Sequence, residues 1–91
     1  MLLRQLGKQI IKFESEQPYF QKEFLGKKRN TVRVVDYLDK KFKLLASMEI
    51  MNKYGFIKIM EKVKDKRKKP LKFTRKIKDV SFWKDLVVIS W

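Results

Sequence analysis

The chain has 91 residues, enough for one modest core and so for a single domain spanning 1–91, and its 44% apolar content, with seven Phe, three Tyr and two Trp, supplies the material for that core. Twenty-four Lys and Arg against ten Asp and Glu leave a formal charge of +14, so an anionic partner is expected to relieve the self-repulsion: nucleic acid, an acidic protein surface or anionic lipid. With no Cys and no His, disulfides, thiolate and imidazole zinc sites, Cys-His and Ser-His nucleophile pairs and the ordinary neutral-pH base are all excluded, and no metal or cofactor is expected.

In chain order, residues 1 to 13 are broken up by Arg4, Gln5 and Lys8 and do not form a secretory apolar core. No stretch approaches the length of a membrane span, and the expected location is cytoplasmic. Residues 9 to 13 read as a short strand. Pro18 suits the first turn of a helix over about 18 to 25, Gly26 suits its end, and Phe20 and Phe24, four apart, share a core-facing stripe.

A strand is expected over residues 32 to 35, then a helix over about 37 to 53. Its N-cap is Asp36, with Asp39 three residues on in a weak capping box. Leu38, Phe42, Leu45, Met48 and Met51 recur at three and four and are assigned to the core, with Gly55 as the stop; the basic amphipathic stretch is core filler rather than a calmodulin target or a membrane-surface helix.

From Phe56 the period becomes two. Ile57, Ile59 and Val63 share a face in one strand; in the next, Leu71, Phe73 and Ile77 share a face while Lys72, Lys76 and Lys78 form a basic outer row. Between residues 62 and 78 ten cations meet one acid, which reads as a cationic hairpin tip; the nuclear-import-like string KDKRKKP within it is short and common by chance. Residues 86 to 89 form a continuous apolar run ending near Trp91, the pattern of a strand covered on both faces at the middle of a sheet, so removing the tail should unfold the domain. Short elements with strands gathered in the second half give an α+β class: a small curved sheet or partly open β-barrel with one or two helices.

The stretch GKKRNTVR, residues 26 to 33, carries the motif of interest. It is not a phosphate-cradling P-loop, because Gly26-Lys27 is followed by Lys28 and Gln21 stands where the first Gly would be. Local reasoning leaves two readings open: a helix cap followed by a solvated basic connection, or an anion-gripping loop. Written as G-x-K-x-x-T-x-R, with Gly26, Lys28, Thr31 and Arg33 at the fixed positions, it resembles the ASCH superfamily of PUA-like domains, whose usual form is G-x-K-x-x-E-x-R. It is similar to the small members that carry Thr in place of Glu. The final third, with Phe73-Thr74-Arg75 and the closing DLVVISW, resembles the end of small DUF3850-type proteins of bacteria and phages.

The resemblance implies a small barrel around a cleft lined by the motif's Lys and Arg, and RNA or modified bases as ligands. Some Thr-bearing relatives are amidohydrolases that deacetylate N4-acetylcytidine with the motif Lys and Thr and a distant Glu; Lys28 and Thr31 match the first two. Glu49 and Glu61 are the carboxylates that sequence reasoning offers for the third. The long second helix and Thr at position 31 depart from the common family pattern, and Arg29 adds charge suited to a phosphate backbone.

Three functions follow as expectations. The first is a nucleic-acid-binding domain for RNA or single-stranded DNA, with Lys27, Lys28, Arg29 and Arg33 lining the cleft, Lys66, Arg67, Lys68, Lys69, Lys72, Lys76 and Lys78 tracking the backbone, and Tyr19 as the stacking ring. Neutralising about five phosphates would give a slope of log K against log salt of roughly −4. The second is an amidohydrolase acting on an acylated nucleoside through Lys28 and Thr31. The third is a phage or mobile-element accessory protein whose basic face docks on an acidic surface of a host nucleic-acid enzyme.

Overall fold

Alternation sets the first strand. In the computed structural model, which describes residues 3–65 and 67–91, β1 (Ile10–Ser15) turns Ile11, Phe13 and Ser15 inward and Ile10, Lys12 and Glu14 outward. A short α1 (Leu3–Leu6) precedes it and buries Leu6. After Pro18 comes α2 (Tyr19–Phe24), which ends in a Schellman arrangement: Lys27 N–H donates to Lys22 O at 2.9 Å and Gly26 N–H to Glu23 O at 3.2 Å, with Gly26 at φ 77°. Glycine is needed there because an L side chain strains at that angle.

β2 (Asn30–Val34) leads to α3 (Lys40–Met51), whose N-cap is Asp39: its carboxylate accepts from Lys41 N–H at 3.1 Å. β3 (Phe56–Glu61), β4 (Lys72–Lys76), β5 (Asp79–Trp83) and β6 (Leu86–Ser90) complete the chain. The strands form two three-stranded sheets. One has the order β1-β3-β4, with β1 and β3 parallel and β3 and β4 antiparallel; the other has the order β2-β6-β5 and is antiparallel throughout. This is a small α+β architecture, as the element pattern suggests.

Inward residues of both sheets, Phe20 of α2 and Phe42, Leu45 and Met48 of α3 form one apolar cluster. On one side the sheets are joined by the chain itself, where Ile77 N–H donates to Gly55 O and Lys78 N–H to Ser90 O between β4 and β5. On the other side the edge strands β1 and β2 are bridged by a side chain, the guanidinium of Arg33, which donates to Glu14 O at 2.7 Å. That second junction holds the cleft.

Several expectations shift. The long helix starts at Lys40, not near 37, because Asp39 is the cap; Asp36 instead makes a local turn with Leu38 N–H, and Leu38, left outside the helix, is 92% exposed. Met51 is also exposed, since nine residues at about 100° each carry it to the far side from Phe42. The helix stops at Asn52, at φ 52°, and not at Gly55. Gly55 is required for a different reason: a Cβ there would lie 2.3 Å from Gln9 O and 2.7 Å from Leu6 O.

The third strand ends at Glu61, short of Val63, and Glu61 takes the next inward position. Leu71 is exposed, preceding β4. Residues 79 to 83 form a strand of their own, paired to β6 through a two-residue turn in which Lys84 adopts φ 54°. Strand β6 is central in its sheet as expected, but its outward Leu86 and Val88 are only half-buried, so it is not covered on both faces.

Candidate functional site

The Schellman turn redirects the chain after α2 so that Lys28 comes back beside the helix it has just left. Its Nζ lies 3.5 Å from Glu23 Oε2, and Glu23 is 1% exposed. In β2, period-two alternation then brings Thr31 and Arg33 to the inner face together, while Val32 and Val34 point outward.

Arg33 is held on several sides. Its Nε donates to Thr31 Oγ1 at 2.9 Å, one terminal nitrogen to Glu14 O at 2.7 Å and the other to Ser15 Oγ at 2.7 Å, while the guanidinium rests 4.9 Å from the Phe13 ring centroid. Burial pushes its pKa down and the Glu23 carboxylate pushes it up; guanidinium remains a cation at neutral pH under such competing effects.

These groups line an open cleft of about 450 Å³, together with Tyr19, Lys62 and Ser15. Tyr19 is 58% exposed, with Lys28 Nζ 5.8 Å from its ring centroid. One oxygen of Glu23, Oε1, is buried and has no hydrogen-bond partner. Such an acceptor costs on the order of 1–3 kcal/mol unless a donor reaches it.

Lys28, Thr31, Arg33 and Tyr19 therefore meet in one cleft. Arg29 does not join them: it lines a separate hollow of about 390 Å³ with Lys76, Lys78 and Trp91. Lys27 is exposed and lies outside both hollows, because the two residues after Gly26 alternate in direction as the chain leaves the turn. Arg67, Lys68, Lys69 and Lys72 are exposed on or next to the β3–β4 connection and line neither hollow; Lys68 pairs with Glu61 at 3.4 Å. Lys66 lies outside the described residues. The cationic segment does reach the motif cleft, through Lys62, whose N–H donates to Ser15 O at 2.9 Å.

The buried carboxylate at the cleft is Glu23, not Glu49 or Glu61; Glu14 and Glu16 also line it, both exposed, and Glu16 pairs with Lys62 at 3.6 Å. Glu49 accepts Phe82 N–H from α3 at 2.9 Å, where with Asp79 it adds to the burial that raises the Tyr54 phenol. Glu61 is buried, and its hydrogen bond from Gln17 Nε2 at 2.7 Å holds its pKa below the ordinary range, aided by Leu71 N–H and Lys68 against the opposing effect of burial. Glu23 had a legible signal: it sits three residues after Phe20, on the buried stripe of its helix.

Compared with family models, with curated proteins and with solved structures, the chain matches none. Among the described residues no helix is long and apolar enough to cross a membrane.

Proposed function

We propose that this protein is a nucleic-acid-binding domain that takes an unpaired stretch of RNA or single-stranded DNA, with a base-sized group entering the motif cleft. The observation that carries this reading is the meeting of Lys28 and Arg33 from the motif with Lys62 from the cationic segment around one cleft whose rim holds an exposed tyrosine; Glu14, Glu16 and Glu23 share that cleft, Glu23 pairing with Lys28 at 3.5 Å and Glu16 with Lys62 at 3.6 Å. Cations position phosphates and an exposed ring stacks on a base. The free oxygen of Glu23 suits an N–H donor on the ligand, as on a base edge carrying an amino group. The ASCH type of PUA-like fold suggested by G-x-K-x-x-T-x-R accords with a cleft at the junction of two small sheets, and it is proposed with the function.

Titration with single-stranded RNA, duplex DNA and heparin at two salt concentrations tests this reading. Single-stranded RNA is expected to bind best, with a slope of log K against log salt of roughly −3 to −4 for about five phosphates. A slope near zero rejects it. Pull-down of an acidic enzyme that survives nuclease treatment would favour the accessory-protein reading instead.

A second reading is favoured by one observation: Lys28, Thr31 and a buried carboxylate line the same cleft, the residue types of an amidohydrolase on an acylated nucleoside. Thr31 Oγ1 accepts from Arg33 Nε, which leaves its own hydroxyl proton free for transfer. Release of acetate from N4-acetylcytidine, abolished in Thr31→Val with the thermal transition preserved, is the outcome that would establish it.

A further inference from the structure

We infer that a second hollow, beside the motif cleft, is a phosphodiester subsite for the same strand; this rests on the nucleic-acid reading above. The hollow measures about 440 Å³ and is lined by Lys12, Arg33, Lys41 and Lys58, with Glu14 as its one acid. Arg33 and Glu14 line both hollows, so the two adjoin at the edge of β1.

Three features point to a bound anion. Lys12 and Lys58 stand directly opposite each other on the parallel strands β1 and β3, with backbones on the order of 5 Å apart. Like charges so placed repel. Among the described residues neither has a carboxylate within ion-pairing distance; Lys41 Nζ is held close by, donating to Lys12 O at 3.3 Å, lying 4.5 Å from the Phe13 ring centroid and pairing loosely with Asp39 at 3.8 Å. Phe13 thereby carries two cations on its ring, Lys41 and Arg33, at the mouth of the hollow.

A phosphate satisfies this arrangement better than a carboxylate side chain, because it offers several acceptor oxygens to ammonium groups arriving from three elements, β1, β3 and the first turn of α3. Because the hollow adjoins the motif cleft, its occupant is the backbone of the strand whose base lies there. The path of the nucleic acid therefore crosses β1 toward α3, and does not run along the β3–β4 tip where the cations are densest in sequence.

The test is fluorescence anisotropy with a labelled single-stranded RNA at several salt concentrations, comparing the intact chain with K12Q/K58Q and with R67Q/K69Q, which removes the same charge from the tip. The expected result is a loss of affinity of tenfold or more for K12Q/K58Q, a salt slope shallower by about 1.4 for two lost contacts, and a change of less than about threefold for the tip variant. K12Q/K58Q should also melt at a higher temperature than the intact chain without RNA, since it relieves the repulsion. Equal losses in the two variants, or a larger loss from the tip, overturn the subsite while leaving the nucleic-acid reading intact. A lowered melting temperature in K12Q/K58Q also overturns it, by marking those lysines as structural. If the intact chain shows no salt-dependent RNA binding, both readings fall.

Discussion

The outer faces of the two sheets differ more than their inner faces do. Inward, β1-β3-β4 and β2-β6-β5 present the same kind of surface, branched aliphatic and aromatic side chains in one cluster. Outward, the first sheet carries Lys12, Lys58, Lys72 and Lys76 beside Ile10, Phe56 and Met60, whereas the second, among the described residues, carries no cation and presents Val32, Val34, Leu86, Val88 and Trp83 beside Asn30, Asp79, Ser81 and Ser90, with Val34 and Trp83 well exposed. Folding dictates the inward set, because a slip of one residue would expose the core. It does not dictate either outward set. Opposed lysines repel, whereas exposed valines are ordinary on a strand, so only the first face is arranged against the stability of the isolated domain. Under the proposed nucleic-acid reading, the strand would lie on the outer face of the first sheet and in the motif cleft, away from Val34 and Trp83 of the second.

The largest expected effect comes from the frame that both faces share. Gly55 opens β3 where α1 and β1 come closest, and its carbonyl accepts Ile77 N–H at the join between the sheets. A methyl group there meets backbone oxygens, which have little room to give way. Gly55→Ala is expected to cost about 3 kcal/mol or more, enough to remove much of a small domain's stability and to blur the distinction between the faces. Urea denaturation checks it; a midpoint unchanged from the intact chain would show that the close approach is relaxed in solution.

Much of this frame was legible. The stripes of Phe42, Leu45 and Met48, the alternation of Ile57 and Ile59, and Gly26 as a helix cap follow from period and backbone angle, which are local properties. What local reasoning misplaced was set by distance in sequence. Gly55 has the composition of a stop signal, yet its role is the approach of Leu6 and Gln9. Lys12, Lys41 and Lys58 are unremarkable singly along the chain and become a cluster only through the register of β1 on β3 and the position of α3. The dense run from 62 to 78 drew attention through composition, though one member, Lys62, reaches the motif cleft and three, Arg75, Lys76 and Lys78, line the hollow with Arg29. Residues 79 to 83 escaped as a strand because their turn uses Lys84, a residue that seldom takes a left-handed angle.

A smaller effect is expected where the basic connection meets the core. Glu61 is buried and its folded pKa is lowered, chiefly by Gln17, so its contribution to stability is present above the ordinary carboxylate value of 4.5 and is lost as pH falls through the folded value. Stability of the intact chain should therefore decline in acid, and Glu61→Gln should flatten that part of the curve, since an amide of the same shape does not titrate. Urea midpoints between about pH 3 and 7 read this directly. Parallel curves for the two proteins would assign the acid loss to other carboxylates.

The smallest effect belongs to the apolar face, and it sharpens the comparison most. Val34 and Trp83 are outward on the edge strands of β2-β6-β5, facing each other across Leu86. Because neither contributes to the buried cluster, Val34→Thr with Trp83→Ser should change stability by no more than about 0.5 kcal/mol. Thr is a good strand former, so β2 should keep its register and with it the inward placement of Thr31 and Arg33. If the polyanion lies on the first sheet and in the motif cleft, RNA affinity should stay within about twofold, because the altered positions share no partner with Lys28, Arg33, Lys12 or Lys58. Anisotropy with the same labelled RNA measures it. A large loss of affinity with an unchanged thermal transition would instead place bases against the valines and the tryptophan, and the two faces would then act as one surface wrapped by the strand.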